Sequence, residues 1–393
     1  MGKITDFYPE AKNKDISGRH IPALDGVRGL AVLTVFVYHY GGGAQSSNPI
    51  LRTLGSCNHA GWCGVTLFFL LSGFLISGIL WDSKGKSGWW RRFYWRRCLR
   101  IFPLYYAALT IVLVSGVLAG DWRVTLPRLG IFAIYLQDLP QLQSSLANIG
   151  SPLHLGHFWS LAVEEQFYLL WPFLLVRARR LSEARNLCVL IFLLSAIYRI
   201  AVWLAHSNVF SGSLPARAGE LAAGAFLAMS FRDPPIWRRI ARFAPTLMVT
   251  GGLSFLFAAA FDHSFASTTP AMTLFGLPCI TLALSAFLVL SLEQGLVARL
   301  SSQSWLRWLG GISYGIYVFH EMLRPVFQKI VIAAIPHATR SENLCAVFVV
   351  AAVFTLLIAQ LSFRFFERPI LKLKERNPKK PGTSRLAAGS QLP

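Results

Sequence analysis

The sequence predicts an all-α integral membrane protein with about ten transmembrane helices and one short segment that does not span. Three observations carry this. Hydrophobic residues make up 54% of the 393 positions and charged residues only 14%, against about 25% charged in a soluble domain. The mean hydropathy is +0.49. Apolar runs recur along the whole length, each of about 20 residues, which matches the hydrocarbon core of a bilayer. They lack the strict alternation of barrel strands, so helices must satisfy the backbone in lipid.

In order, the apolar segments are 22–40, 61–81, 101–119, 126–139, 159–176, 186–205, 216–231, 243–261, 270–291, 309–335 and 343–366. The connectors give the topology. Loop 82–100 carries Lys84, Lys86, Arg91, Arg92, Arg96, Arg97 and Arg100. Connectors 177–185 and 232–242 are similarly basic, and so is the tail from Arg368. Positive loops stay in the cytoplasm. If every segment spanned, the two basic termini would lie on opposite sides. The conflict disappears if 126–139 does not cross, because it is the shortest and sits between Pro127 and Pro140. Both termini are then cytoplasmic and residues 120–158 form an outer region. Residues 1–20 read as a polar cytoplasmic N-terminus, 21–370 as one membrane domain, and 371–393 as a basic, disordered tail.

The net charge of +20 would suggest nucleic acid in a soluble protein. Here the cations cluster between spans, so anionic membrane lipids are the expected partner and nucleic acid is excluded. The six cysteines show no zinc spacing, and no metal is expected. Cys57 and Cys63 share a loop and either pair or stay free. No signal peptide is visible, since the first 20 residues are polar.

Some residues do not belong in lipid. Arg28 and His39 are eleven residues apart, about 1100° of helix, or roughly 20° from three full turns and about 16 Å along the axis. They share a face. Asp25 precedes Arg28 by one turn, and the two either pair as an interfacial anchor or face a polar cavity. In "HFWSLAVEEQFYLLWP", Ser160, Glu164 and Tyr168 fall at i, i+4 and i+8, with His157 seven residues before Glu164. A capping turn explains one carboxylate there, not both Glu164 and Glu165. "GISYGIYVFHEMLRP" gives a third polar stripe through Tyr314, Tyr317, His320 or Glu321, and Arg324, in which Glu321 and Arg324 can neutralise each other. "WWRRFYWRRCLRIFPLYY" reads either as an interfacial aromatic belt or as a cradle of arginine forks for phosphate. Gly73 and Ser77 in the second segment permit close helix packing. There is no H-E-x-x-H zinc signature.

Taken together, these stretches resemble the acyltransferase-3 family of integral membrane O-acyltransferases, typified by polysaccharide O-acetyltransferases. The likeness covers about residues 20–370. Its opening signature, an Arg and a His with ten residues between them, matches Arg28 and His39. "GVTLFFLLSGFLI" resembles the second-helix motif, and "RRCLRIFPLYY" the R-x-x-R element, with Arg97 and Arg100 matching. "FWSLAVEEQFYLLWP" resembles the W-S-L-x-x-E block at Trp159, Ser160 and Glu164, and "ISYGIYVFH" and "RFFERP" resemble the last two blocks. Two features depart from the pattern. Thr66 stands where many members have an acid. Many also carry a C-terminal SGNH-type domain that this chain is expected to lack, so the membrane part would bind the acceptor itself or hand over to a partner.

The resemblance implies transfer of an acyl group, commonly acetyl from acetyl-CoA, to a hydroxyl of a carbohydrate or glycoconjugate at the inner (plasma) membrane. It implies that Arg97 and Arg100 bind the acyl-CoA donor from the cytoplasm. His39 would act as general base or first accept the acyl group, and Arg28 would orient the donor or stabilise developing charge. Glu164 would orient His39 or a substrate hydroxyl. Asp25, Trp159, Ser160, Tyr168, Tyr314 and His320 complete the expected substrate-binding set. A proton-coupled transporter of a glycolipid or acylated small molecule is the alternative reading. It predicts broken helices in paired halves.

Overall fold

A proline at the start of the first apolar run fixes where its helix begins. In the computed structural model, which describes residues 21–41, 55–205 and 212–375, helix α1 runs Pro22–Tyr40. It is followed by α2 (Cys63–Ser83), α3 (Trp89–Leu118), α4 (Trp122–Ala133), α5 (Trp159–Leu175), α6 (Leu181–Leu204), α7 (Leu214–Phe231) and α8 (Pro234–Phe261). A π-turn at Met272–Gly276 leads into α9 (Leu277–Leu292). Then come α10 (Ser304–Gly311), α11 (Ser313–Met322), α12 (Arg324–Ala334) and α13 (Arg340–Ser362). Among the described residues there is no strand. The parts of the expected terminal regions at 1–20 and 376–393 lie outside the described residues.

Among the described residues, six helices are long and apolar enough to cross a membrane: Gly55–Ser83, Trp89–Leu118, Leu181–Leu204, Pro234–Phe261, Met272–Leu292 and Arg340–Leu371. The chain is a multi-pass membrane protein. Helices α1, α5 and α7 have 19, 17 and 18 residues; α5 is too short for that set, and the charged pairs in α1 and α7 lower their mean hydropathy. Helix α6 leaves Leu193, Ile197 and Leu204 exposed, and α13 leaves Val349, Val353 and Leu357 exposed, as lipid-facing surfaces do.

Two expectations about segments can be compared directly. Helix α4 has 12 residues, a rise of about 18 Å, too short for a bilayer of about 30 Å. The segment expected over 309–335 is not one helix. It is broken at Ile312 (φ −107°, ψ 10°) and at Leu323 (φ −92°, ψ 0°). Gly310, Gly311 and Pro325 flank these breaks, and no Cβ or ring constraint there favours continuity. The basic connector 82–100 is also partly helical, because α3 begins at Trp89 and continues through Pro103.

Glycines let the central helices touch at the backbone. A Cβ at Gly29 would lie 2.1 Å from Leu306 O, and one at Gly310 would lie 1.8 Å from Asp25 O. This is how α1 seats on α10. Gly73 of α2 and Gly224 of α7 do the same against Leu221 O and Leu70 O. Ser77 accepts the Trp171 indole N–H at 2.8 Å, joining α2 to α5. Close packing at Gly73 and Ser77 is what the small-residue spacing predicts.

Ion pairs gather one end of the bundle. Arg232 grips Asp82 through Nε (2.7 Å) and Nη2 (2.5 Å), Arg185 meets Asp233 at 3.0 Å, and Lys84 bonds Ala178 O. Connectors 82–100, 177–185 and 232–242 therefore share an end. At the other end, the chain between α4 and α5 is tied inward. Gln137 donates to Phe158 O (2.9 Å). Asp138 accepts from Gln166 (2.6 Å) and from Leu214 N (3.2 Å). Burial pushes the Asp138 carboxyl above its ordinary range. Cys57 and Cys63 are both free thiols.

Gly73→Val drives a methyl into Leu221 O, and overpacking of this kind costs about 1–3 kcal/mol or more. The variant should unfold at lower temperature in detergent than the parent or fail to accumulate. Gly130→Ala is the control: nothing stands within 4 Å of a Cβ there. It should match or slightly exceed the parent, since alanine favours a helix interior by up to about 1 kcal/mol.

Candidate active site

Helices α1, α2, α3, α5 and α11 enclose a cavity of about 200 Å³. Along α2 its lining runs from Val65 through Phe68, Ser72 and Leu75 to Ile79, about 21 Å of helix. It is long and narrow. One flank of the inner half is cationic: Arg28 from α1 and Arg97 and Arg100 from α3. Helix α5 contributes Ser160, Glu164 and Tyr168, and α11 contributes Ser313, Tyr314 and Tyr317. Three guanidinium groups thus face one lining carboxylate, and the space suits an anionic ligand.

Local contacts hold these side chains in place. Arg28 pairs with Asp25 at 2.8 Å. Arg97 lies over the Tyr168 ring, 5.1 Å from its centre. The Tyr168 hydroxyl meets Ser72, and Glu164 lies within reach of Ser72, Tyr168 and Arg97. Tyr314 donates to Ile101 O at 2.8 Å. At the far end the Tyr317 and Ser160 hydroxyls lie 3.0 and 3.2 Å from His157 O and within bonding distance of each other, so one donates to the carbonyl and the other to its neighbouring hydroxyl. This pair forms a bar across the cavity.

Beyond the bar lie three histidines. His39 Nδ1 faces Val35 O at 3.0 Å and His320 Nε2 at 3.2 Å. His320 Nδ1 faces Tyr317 O at 2.7 Å. Carbonyl oxygens only accept, so each Nδ1 carries the hydrogen, and His39 keeps its lone pair on Nε2. His157 packs 5.1 Å from the His320 ring, centre to centre, with Nε2 3.2 Å from Val318 O.

The structure divides the residues singled out in the sequence. Arg28, Arg97, Arg100, Ser160, Glu164, Tyr168 and Tyr314 line one cavity. His39, His320, Asp25 and Trp159 do not line it. Arg28 lines this cavity and His39 does not, although they share a face of α1, and the groups around Glu164 are Ser72, Tyr168 and the arginines. His320 supports His39, Asp25 supports Arg28, and Trp159 packs edge-on to Phe69.

One cluster was missed. Arg217 meets Glu220 at 2.7 Å and Thr66 Oγ1 at 3.0 Å. Its guanidinium lies 5.9, 5.5 and 5.7 Å from the ring centres of Trp62, Phe69 and Trp159. The available signal was an i, i+3 pair of charges inside an apolar segment. Thr66, where many members of the resembled family have an acid, is the hydroxyl that Arg217 grips. Residues Gly311–Gly315 also spell G-x-S-x-G, but Ser313 sits at a helix–helix junction and donates to Gly310 O at 2.9 Å. It is not the nucleophile of a strand-to-helix elbow. Among the described residues no group of three His, Cys, Asp or Glu side chains is placed to hold a metal ion.

With six helices able to span and a cationic cavity between them, comparison with known proteins agrees on the class. The family described as Acyltransferase domain matches residues 21–364, and the chain belongs to it. Peptidoglycan O-acetyltransferase OatA of Listeria monocytogenes is 30% identical over 379 residues, covering 91% of this chain and 56% of that protein. Putative peptidoglycan O-acetyltransferase YrhL of Bacillus subtilis is 29% identical over 377 residues (90% and 55%). O-acetyltransferase OatA of Staphylococcus aureus is 25% identical over 378 residues (91% and 58%). The chain spans a little over half the length of these relatives. No solved structure matches it.

Removing one partner of a buried ion pair costs about 3–5 kcal/mol, because the other charge is stranded. Arg217→Met should therefore sharply lower thermal stability, measured in detergent by fluorescence. Arg217→Met/Glu220→Met should recover most of the loss. Equal loss in both variants would contradict this account of the pair.

Proposed function

We propose that the chain is a membrane O-acyltransferase that moves an acyl group, acetyl above all, from cytoplasmic acyl-CoA to a hydroxyl of an extracytoplasmic carbohydrate. The observation that supports this most is the narrow cavity with Arg28, Arg97 and Arg100 along one half and a histidine cluster behind its far end. The printed names of the relatives make peptidoglycan glycan the first acceptor to try.

In this reading the donor enters from the end where the basic connectors gather, which is cytoplasmic with both termini. Arg97 and Arg100 bind its phosphates, for which guanidinium forks are suited. Arg28, held by Asp25, orients the donor, and it lies too far along α1 from His39 to act at the same atom. The thin pantetheine arm follows α2 past Ser72 and Glu164 and brings the thioester to Ser160 and Tyr317. His39 Nε2 takes the proton of the acceptor hydroxyl, whose oxygen attacks the thioester carbon, and the CoA sulfur leaves and takes up a proton. Tyr317 turns away from Ser160 to join the two spaces when both substrates are present.

The test uses the full chain in nanodiscs with acetyl-CoA and soluble glycan fragments, following free CoA thiol and the acylated glycan. A transporter would release no thiol. His39→Ala should insert normally and lose about a hundredfold or more in transfer; near-normal turnover would sink His39 as the base. Arg97→Ala/Arg100→Ala should raise the apparent KM for acetyl-CoA by about tenfold or more, given roughly 1.5–3 kcal/mol for a charged hydrogen bond. An unchanged KM removes both arginines from the donor site.

A further inference from the structure

His39 lies outside the cavity lining, and several groups around it have no role so far. Its ring sits edge-on to Tyr38, 4.9 Å between centres and 81° between planes. Tyr38 is exposed. Glu321 and Arg324, on α11 and α12, both lie within electrostatic reach of His39. Glu321 bonds Arg324 at 3.3 Å and approaches His154 at 3.9 Å. Arg324 lies over the Tyr40 ring at 5.8 Å. Glu321 and Arg324 are three residues apart, a spacing that puts them side by side on a helical turn.

We infer that Tyr38, Glu321 and Arg324 form the acceptor subsite, and that it takes a neutral, hydroxyl-rich sugar ring. Glu321 is the carboxylate at the centre of this group, with His154, His39, His320 and Arg324 around it. The Glu321 side chain is only 13% exposed, whereas its partners Arg324 and His154 are 35% and 56% exposed. A carboxylate offers only acceptor oxygens, so it can take hydrogen bonds from two neighbouring sugar hydroxyls at once. The guanidinium fork beside it donates to ring and hydroxyl oxygens. The exposed Tyr38 face offers the sugar an apolar platform. The pair has no net charge, which favours a neutral ring over an acidic one. A hydroxyl held between Tyr38 and Glu321 lies next to His39, whose ring Tyr38 touches.

The role of His39 in this picture rests on the proposed acyl transfer; the binding of sugar does not. The test takes the full chain in nanodiscs with chitotetraose as probe. Binding is measured by tryptophan fluorescence, and initial rates by thiol release from acetyl-CoA. Wild type should bind chitotetraose. E321Q and Y38A should weaken binding and raise the acceptor KM at least tenfold, with the acetyl-CoA KM unchanged, while Y38F should stay near wild type. Failure of wild type to bind the probe overturns the neutral-sugar assignment. Unaltered binding in E321Q and Y38A overturns the subsite, and a lowered melting temperature of E321Q without weakened binding reduces Glu321 to a structural latch. If wild type binds chitotetraose, with the variants weakened, but releases no thiol, the subsite stands and the acyl-transfer reading falls.

Discussion

The backbone contact between α1 and α10 is the constraint on which the site depends. Gly29 brings α1 against the carbonyl of Leu306, Gly310 receives Asp25 O, and Gly26 meets the carbonyl of Ser301 just before α10. No side chain fits between. The contact fixes the rotation of α1, and with it the direction of Arg28 into the cavity and of His39 toward His320. It also fixes where α11 starts. Tyr314, Tyr317 and His320 then fall on the short helix that faces both spaces.

Charge placement follows from the same closeness. An isolated ion in hydrocarbon is expensive, so the inner charges occur in company. Asp25 accompanies Arg28, Glu220 accompanies Arg217, and Glu164 sits among Arg97, Ser72 and Tyr168. The Arg217 cluster stacks on Phe69, which lines the cavity, and on Trp159, which precedes Ser160. It holds the wall of the site without touching what the cavity would contain.

Much of this was legible in the sequence. Ser160, Glu164 and Tyr168 follow helical spacing, so their common face was readable before any coordinates. The arginines at 97 and 100 were readable because a basic stretch abutted an apolar run. The rest needed the break at Ile312 and Leu323. Hydropathy averages over such kinks, and 309–335 looked like one span although glycines and a proline bordered the breaks. That miss separated His39 from its true neighbour, since the contact with His320 crosses 281 positions of sequence. Angular arithmetic could put Arg28 and His39 on one face, but it could not show that Tyr317 and Ser160 stand between them.

That hydroxyl pair has a consequence for the membrane itself. A membrane protein open to both compartments at once would be a leak for water, protons and small ions. With Tyr317 and Ser160 bonded to each other and held against His157 O, one layer of hydrogen-bonded side chains closes the end of the cavity. Cells can then keep many copies of it in an energised bilayer without dissipating the gradient across it.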